Sequence, residues 1–139
     1  MTKKMKYVFV NGTFDVLHRG HVELFKYAKD QGDVLIVAID SDERVSKMKG
    51  PSRPVYTDKE RKYMLEHLKP VDQVFIFDSA EELTKLVEMI KPAIMVVGSD
   101  WKGKKVIGGE HAGSVKFFDR IEEYSSTEII ERITSRGDL

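Results

Sequence analysis

Two histidines near the start of the chain, His18 and His21, have the residue type and spacing of a phosphate-binding site. They lie in the segment Gly12-Thr13-Phe14-Asp15-Val16-Leu17-His18-Arg19-Gly20-His21. Residues 6–11, rich in valine and aromatic side chains, predict a strand, and residues 22–31 predict a helix. The segment therefore leads into a helix N-terminus, where unpaired N–H groups and the helix dipole attract anions. Its glycines admit a ligand close to the main chain, and its imidazoles add hydrogen-bond donors.

Residues 12–21 fill every specified position of the His-x-Gly-His nucleotidyltransferase signature, roughly Gly-Thr-Phe-Asp-x-Leu-His-x-Gly-His. The chain resembles the cytidylyltransferase-like branch of that superfamily, which includes glycerol-3-phosphate cytidylyltransferases and heptose-1-phosphate adenylyltransferases. The resemblance implies that a substrate phosphate attacks the α-phosphorus of a nucleoside triphosphate and releases pyrophosphate. It further implies that His18 and His21 stabilise the transition state as donors, and that nucleotide contacts come from Gly12, Thr13, Phe14, Asp15 and Gly20.

The cations expected to meet the triphosphate are Lys49 and Arg61. The segment 44–54 follows the second predicted strand and holds four basic residues, Arg44, Lys47, Lys49 and Arg53. Mobile cations there would close over phosphates, although a solvated charged face is the ordinary alternative. Arg61 lies in Glu60-Arg61-Lys62, and the resemblance implies an arginine at this position that points at the nucleotide phosphates. A surface ion pair with Glu60 or Asp58 is the alternative for Arg61.

Two later segments extend the resemblance toward the end of the chain. Gly98-Ser99-Asp100-Trp101 is similar to the family's Gly-Asp-Asp-Trp or Gly-Gly-Asp-Tyr segment, which implies that Asp100 and Trp101 lie near the nucleotide or the acceptor. Arg120 and the hydroxyl run Ser125-Ser126-Thr127 resemble the signature Arg-Thr-Glu-Gly-Ile-Ser-Thr-Thr and imply a second anion site at a helix start. Ile121 and Glu123 depart from that signature, and an ordinary N-cap accounts for one serine.

The sequence predicts no dedicated metal site, because His67 and His111 have no partner at ligand spacing. The resemblance nevertheless implies Mg2+, held mainly by nucleotide phosphates and water with one carboxylate such as Asp15.

The sequence motifs disagree about which nucleotide the protein uses. Arg120 and Trp101 favour CTP with glycerol 3-phosphate, whereas the stretch from Lys49 to Pro54 is similar to heptose-phosphate adenylyltransferases and favours ATP with a sugar phosphate. We expect CTP with a small polyol or sugar phosphate, and an ATP-dependent enzyme acting on a heptose 1-phosphate is the alternative. A nucleotide-binding module without turnover is a further alternative, which the intact histidine motif disfavours.

Strands and helices alternate along the chain. Strands are predicted at 6–11, 33–39, 74–77, 93–97 and 114–118, with helices at 22–31, 61–68, 80–90 and after a capping box at 125–128. Residues 40–56 predict a loop or a frayed helix followed by a loop. This order predicts a single α/β domain over 1–139, a Rossmann-like three-layer sandwich with a five-stranded parallel sheet. The loops after strands one, four and five should converge at the carboxyl ends of the strands.

Composition narrows the partners and the compartment. The 139 residues include 23 Lys and Arg, 23 Asp and Glu, and no cysteine. Balanced charge gives no global field for nucleic acid or a membrane surface, and the missing cysteine excludes disulfides and thiolate chemistry. We expect a cytoplasmic protein that binds a nucleoside triphosphate and a small phosphorylated acceptor, with no nucleic-acid or membrane partner. The resemblance adds the expectation of a homodimer.

Overall fold

A computed structural model of the chain describes residues 4–119 and 125–136. The elements in chain order are β1 (Tyr7–Gly12), α1 (Arg19–Asp30), β2 (Val34–Asp40), α2 (Asp42–Lys49), α3 (Asp58–Glu66), β3 (Gln73–Phe77), α4 (Ala80–Ile90), β4 (Ile94–Gly98), β5 (Ser114–Phe118) and α5 (Ser126–Ser135). Two short 3-10 turns, Ser99–Trp101 and Gly109–His111, lie between β4 and β5.

The five strands form one parallel sheet in the order β3-β2-β1-β4-β5. The order reverses between β1 and β4, so that the chain runs outward from β1 in both directions. In open sheets of this kind, ligands bind in the crevice beyond the carboxyl ends of the strands at the reversal point. The predicted five-stranded parallel α/β architecture is confirmed.

Two hydrophobic clusters cover the two faces of the sheet. Alternate residues of β1 point to opposite sides: Val8 and Val10 join α1 and α3 in one cluster, and Phe9 joins α4 in the other. Strand β2 alternates in the same way and contributes fully buried residues to both. Burial on both faces explains why its sequence is a continuous apolar run.

Two elements differ from the sequence expectation. Helix α1 begins at Arg19, three residues before the predicted Val22, with His18 as its N-cap residue. Residues 42–49, expected as a loop or frayed helix, form α2, which Ser41 caps by accepting a hydrogen bond from the N–H of Arg44. Within residues 4–119 and 125–136, every helix is too short or too polar to cross a membrane.

Candidate active site

A cavity of about 280 Å3 opens beyond the carboxyl ends of β1 and β4, on the sheet face that α1 covers. We call it the α1 cavity. Eleven of the fifteen predicted site residues line it: Thr13, Phe14, Asp15, His18, Gly20, His21, Lys49, Asp100, Ser125, Ser126 and Thr127. Leu24 and Phe118 also line it and were missed, because apolar residues carry no chemical signal of their own. Gly98 lines it too; the sequence had quoted this glycine as the start of the segment 98–101 without assigning it a role. The predicted convergence of the loops after strands one, four and five is confirmed.

The two histidines sit on the first turn of α1 with stacked rings. The ring centroids of His18 and His21 are 3.7 Å apart, and the edge of Phe14 packs against His21 with centroids 5.2 Å apart. The backbone N–H of His18 donates to Nδ1 of His21 at 3.3 Å. An accepting Nδ1 carries no proton, so the neutral ring holds its proton on Nε2. His21 therefore presents an Nε2–H donor, which is the group that a phosphate oxygen needs.

A close backbone approach shapes the loop that precedes the histidines. Phe14 has a positive φ of 49°, a conformation that costs a non-glycine residue energy. Its ring lies over Gly12, where an added Cβ would come within 2.8 Å of the ring carbon Cζ. Gly12 therefore keeps Phe14 against His21.

The N-termini of two helices meet at the α1 cavity. His18 and Gly20 bring the start of α1 to it, and the three hydroxyl residues bring the start of α5. Ser125 caps α5 by accepting from the N–H of Glu128 at 3.0 Å, and Ser126 Oγ donates to the carbonyl oxygen of Val16 at 2.7 Å. Ser126 therefore attaches α5 to the β1–α1 loop, and Ser125 fixes the first turn of the helix. Two helix N-termini aimed at one cavity make it suited to an anion with several charges.

Helix α2 sends its two lysines in different directions. Lys49, the last residue of the helix, lines the α1 cavity. Lys47 pairs with Glu43 one helical turn away, and both side chains are largely exposed. Lys47 thus belongs to a solvated face, and Lys49 is the lysine of the pair that the structure places at the cavity.

Arg61 is placed differently from the expectation. Its side chain is fully buried, and its guanidinium donates to three carbonyl oxygens, those of Thr13, Asp40 and Tyr56, and to the carboxylate of Asp42. Arg61 is not among the residues that line the α1 cavity. Its expected contact with the triphosphate stays a prediction, and in this structure Arg61 ties together the β1–α1 loop, the end of β2, the start of α2 and the segment before α3.

Asp15 also binds the segment before α3. Its carboxylate oxygens accept hydrogen bonds from the backbone N–H groups of Val55 at 2.6 Å and Tyr56 at 2.9 Å. Asp15 is buried and lines the α1 cavity, so its carboxylate acts as a clamp at the cavity wall. Arg61 and Asp15 together fix the segment 51–57, which connects α2 with its Lys49 to α3.

Gly12 and Trp101 line a second cavity of about 250 Å3 on the opposite face of the sheet, which α4 covers. We call it the α4 cavity. Of its polar residues, the sequence had predicted Thr13 as a nucleotide contact and had grouped Arg44 with the basic segment, but it had not singled out Asn11 or Asp40. Arg44 Nε pairs with Asp40 at 2.7 Å, and its guanidinium carbon lies 5.5 Å from the centroid of the Phe77 ring.

The predicted residue Arg120 lies outside the described part of the chain. No group of three histidine, aspartate or glutamate residues among positions 4–119 and 125–136 is arranged to hold a metal ion. Of the carboxylates that line the α1 cavity, Asp15 has both oxygens bound by backbone amides, and Asp100 packs beside Gly98.

Two named bacterial proteins are similar in sequence to nearly the whole of this chain. A bifunctional protein HldE from a Nitratiruptor species is 44% identical over 128 residues, and one from Sulfurimonas denitrificans is 46% identical over 134 residues. These alignments cover 92% and 96% of this chain, which spans 28% of the length of either relative.

Solved structures and a family profile agree with the fold. A lipopolysaccharide core biosynthesis protein from Thermoplasma volcanium is similar with a TM-score of 0.68 and 27% identity, over 84% of this chain and 97% of that one. A pantoate-beta-alanine ligase from Francisella tularensis shares the fold at a TM-score of 0.60 and 17% identity, over 97% of this chain and 72% of that one. A profile described as cytidylyltransferase-like matches residues 9–132. The chain therefore belongs to the cytidylyltransferase-like family of nucleotidyltransferases.

Proposed function

We propose that the protein transfers the adenylyl group of ATP to a sugar 1-phosphate of the heptose class. An oxygen of the acceptor phosphate forms a bond to the α-phosphorus, the bond from that phosphorus to the bridging oxygen of the β-phosphate breaks, and pyrophosphate leaves. The acceptor oxygen is already ionised near neutral pH, so the reaction needs no general base. The protein has to align the two phosphates and stabilise charge that spreads over their oxygens.

One observation carries this proposal: His18, His21, Lys49 and two helix N-termini all meet at the α1 cavity. Each of them supplies donors or positive charge, and nothing in the set resembles a protein nucleophile with its activating base. Such a set suits direct attack by one substrate on the other. We assign the triphosphate to this cavity, with His21 Nε2–H and Lys49 at its reacting end.

The preference for ATP rests on the relatives. The sequence motifs alone favoured CTP with glycerol 3-phosphate, on the strength of Arg120 and Trp101. The HldE relatives at 44–46% identity and the lipopolysaccharide core biosynthesis protein favour the heptose-phosphate adenylyltransferase branch of the resemblance instead. Trp101 lines the α4 cavity, away from the histidines, which weakens the argument that linked it to cytosine.

We propose that Mg2+ arrives with the triphosphate, since the described residues offer no cluster that would hold the ion alone. When bound, it neutralises charge on the phosphate oxygens. Asp100 is the carboxylate we assign to it, because the oxygens of Asp15 already accept two backbone hydrogen bonds. We also retain the proposal of a homodimer, which light scattering at working concentration tests.

The decisive experiment measures pyrophosphate release with ATP or CTP as donor and heptose 1-phosphate, a hexose 1-phosphate or glycerol 3-phosphate as acceptor. We expect the fastest release from ATP with heptose 1-phosphate. Release confined to CTP with glycerol 3-phosphate would replace this proposal with the cytidylyltransferase alternative. If no pair gives release while ATP still binds in calorimetry, the chain is a nucleotide-binding module.

A further inference from the structure

Phe14 has a strained backbone that its place in the chain does not require. Of the residues other than glycine in the described part of the chain, only Phe14 and Lys91 have a positive φ. Lys91 follows the last residue of α4, where a left-handed conformation is ordinary, whereas Phe14 lies in the loop between β1 and α1. Strain of this kind is found at functional sites, where the surrounding structure imposes it. The direction of the Phe14 side chain is therefore the feature to explain.

The ring of Phe14 packs against two residues on one face of α1. Its centroid lies 4.9 Å from that of Phe25 with the ring planes at 68°, and 5.2 Å from that of His21 with the planes at 89°. Phe25 is fully buried and follows His21 by one helical turn, so both side chains lie on the same side of the helix. Phe14 thus connects the imidazole of His21 to the hydrophobic core.

The backbone of Gly12 limits where this ring can lie. A Cβ added to Gly12 would meet three atoms of the Phe14 ring, with Cζ at 2.8 Å, Cε2 at 3.0 Å and Cε1 at 3.2 Å. These three are its nearest neighbours outside the adjacent residues, so a methyl group there would act first on the Phe14 ring. The ring therefore lies between Gly12, Phe25 and His21, and a side chain on Gly12 would push it out of this position.

The packing of Phe14 bears on the direction of the His21 donor. The hydrogen bond from the N–H of His18 places Nδ1 of His21, but by itself it does not set the plane of the ring. Two rings with known angles do: His18 stacks on His21 with the planes at 24°, and Phe14 stands perpendicular to it. The direction of Nε2–H follows from that plane. A donor that stabilises a transition state has to point at the oxygen where charge develops, and a small misplacement lowers the rate strongly.

We propose that Phe14 is a positioning residue that sets the direction of the Nε2–H of His21, and that Gly12 serves catalysis by leaving room for the Phe14 ring. This inference rests on the proposed function. The sequence resemblance places Gly12 and Phe14 among the nucleotide contacts, whereas here both act through His21. A nucleotide contact and a positioning role differ in kinetics: the first affects ATP binding, and the second affects kcat.

The first test replaces the ring by an aliphatic side chain. We expect Phe14→Leu to lower kcat by about tenfold or more and to leave the Kd for ATP, measured by calorimetry, within about twofold of wild type. Phe9→Leu is the matched control, because Phe9 is fully buried on β1 but packs on the opposite face of the sheet. It should lower the stability and leave kcat unchanged. A raised Kd for ATP with normal kcat in Phe14→Leu would show a nucleotide contact and overturn the inference, as would a normal kcat with a normal Kd.

A double-mutant cycle tests whether Gly12 acts through Phe14. Gly12→Ala adds only a methyl group and should lower kcat by about tenfold in the presence of the Phe14 ring. Leucine has no atoms at the Cε and Cζ positions that this methyl would meet. The double variant Gly12→Ala with Phe14→Leu should therefore be no slower than Phe14→Leu alone. Losses that multiply in the double variant would show that the Gly12 methyl acts on a substrate instead, and would overturn the role assigned to Gly12. If Phe14→Leu does not fold, Gly12→Ala alone decides between a fall in kcat and a rise in the Kd for ATP.

Imidazole nitrogen NMR of the isotope-labelled full chain gives a readout without activity. In wild type we expect His21 to show one fixed tautomer, with the proton on Nε2. In Phe14→Leu and in Gly12→Ala its two nitrogen shifts should move toward each other, because a ring that turns loses the bond to Nδ1 and samples both tautomers. His67, whose ring packs on Tyr63, is the internal control and should not change. Unchanged His21 shifts in both variants would overturn the inference even if kcat falls.

The outcomes separate this inference from the proposed function. If ATP and heptose 1-phosphate release pyrophosphate but kcat in Phe14→Leu equals that of wild type, the proposed function stands and the positioning role is wrong. If no donor and acceptor pair releases pyrophosphate, the proposed function fails, and the His21 shifts in the two variants still decide whether Phe14 and Gly12 orient this ring.

Discussion

The two nitrogens of the His21 ring serve different ends. Nδ1 accepts a hydrogen bond from the backbone N–H of His18 and so belongs to the start of α1, whereas the opposite nitrogen, Nε2, carries the donor proton. Asparagine and glutamine each reproduce one of these positions, since the amide of Asn reaches about as far as Nδ1 and that of Gln about as far as Nε2. Structure and chemistry at this residue are therefore separable by substitution.

We expect His21→Asn to keep the stability of the protein and to lower kcat by about 10² or more, the usual effect of removing one transition-state donor. His21→Gln should retain more activity than His21→Asn, because its amide N–H stands near the Nε2 position. Pyrophosphate release gives kcat, and urea unfolding gives the stability. His67→Ala, at the exposed residue that directly follows α3, is the control histidine and should leave kcat unchanged. Equal activity in His21→Asn and wild type would remove the assigned role.

The lysines of α2 form a matched pair for a second prediction. Lys49→Ala should lower kcat/KM for ATP by about 10- to 100-fold, since a hydrogen bond to a charged group contributes about 1.5–3 kcal/mol. Lys47→Ala should leave kcat/KM unchanged, because that lysine only pairs with Glu43 in solvent. Steady-state kinetics at fixed ionic strength measures both. Similar losses in the two variants would indicate a general effect of charge instead of a contact by Lys49.

At the scale of elements, the segment 51–57 is held by side chains that lie far from it in sequence. Asp15 accepts hydrogen bonds from two of its backbone N–H groups. Arg61 donates to the carbonyl oxygen of Tyr56 and to carbonyl oxygens at the ends of β1 and β2. The segment has few apolar anchors, since Val55 and Tyr56 are about half exposed. Buried polar bonds thus replace a hydrophobic core at this junction, and they position α2 beside the cavity.

This arrangement predicts that the main effect of Arg61→Ala is a lower free energy of unfolding, and that any loss of activity follows from it. Removing a buried guanidinium leaves three carbonyl oxygens and a carboxylate without their donor, which costs about 3–5 kcal/mol. Urea unfolding measures this loss, and Lys62→Ala, next in sequence with only a surface pair to Glu66, should cost less than about 1 kcal/mol. A normal free energy of unfolding in Arg61→Ala, combined with lost ATP binding, would contradict this structural role and support the direct phosphate contact that the sequence suggested.

The sequence predicts elements well where periodicity is strong. Helix α4 (Ala80–Ile90) and strand β5 (Ser114–Phe118) have the predicted bounds, because their apolar residues follow clear periods of 3.6 and 2. Helix α2 was missed as a firm helix, since five of its eight residues are charged and only Val45 is buried. Its stability depends on Ser41 and on contacts with neighbouring elements, which a local pattern does not reveal.

The site was predictable as a set of residues but not in its geometry. The motif around His18 and His21 identified the α1 cavity because its residues are nearly contiguous in sequence. Arg61 shows the limit: a motif gives its residue type and position, but its burial depends on Thr13 and Asp40, which lie 48 and 21 residues away. The α4 cavity was missed for the same reason, since its lining comes from at least five elements.

At the scale of the whole molecule, α5 is the most loosely attached of the elements that build the α1 cavity. None of its described residues is buried, and Ser126 connects it to the β1–α1 loop through the carbonyl of Val16. A helix with so little buried surface opens easily in the absence of a ligand. An anion bound between the N-termini of α1 and α5 would therefore stabilise α5 more than any other helix.

We expect ATP to slow amide hydrogen exchange most strongly in residues 126–135 and in the β1–α1 loop, and to leave α4 almost unchanged. Saturation at 100 times the Kd should also stabilise the fold by about 2.7 kcal/mol, seen as a rise of several degrees in Tm. Ser126→Ala should speed exchange in α5 without ATP and reduce the protection that ATP gives, while Ser135→Ala, at the far end of the same helix, should do neither. Bound ATP that left exchange in residues 126–135 unchanged would show that α5 takes no part in nucleotide binding, and the triphosphate would then have to be assigned to α1 and Lys49 alone.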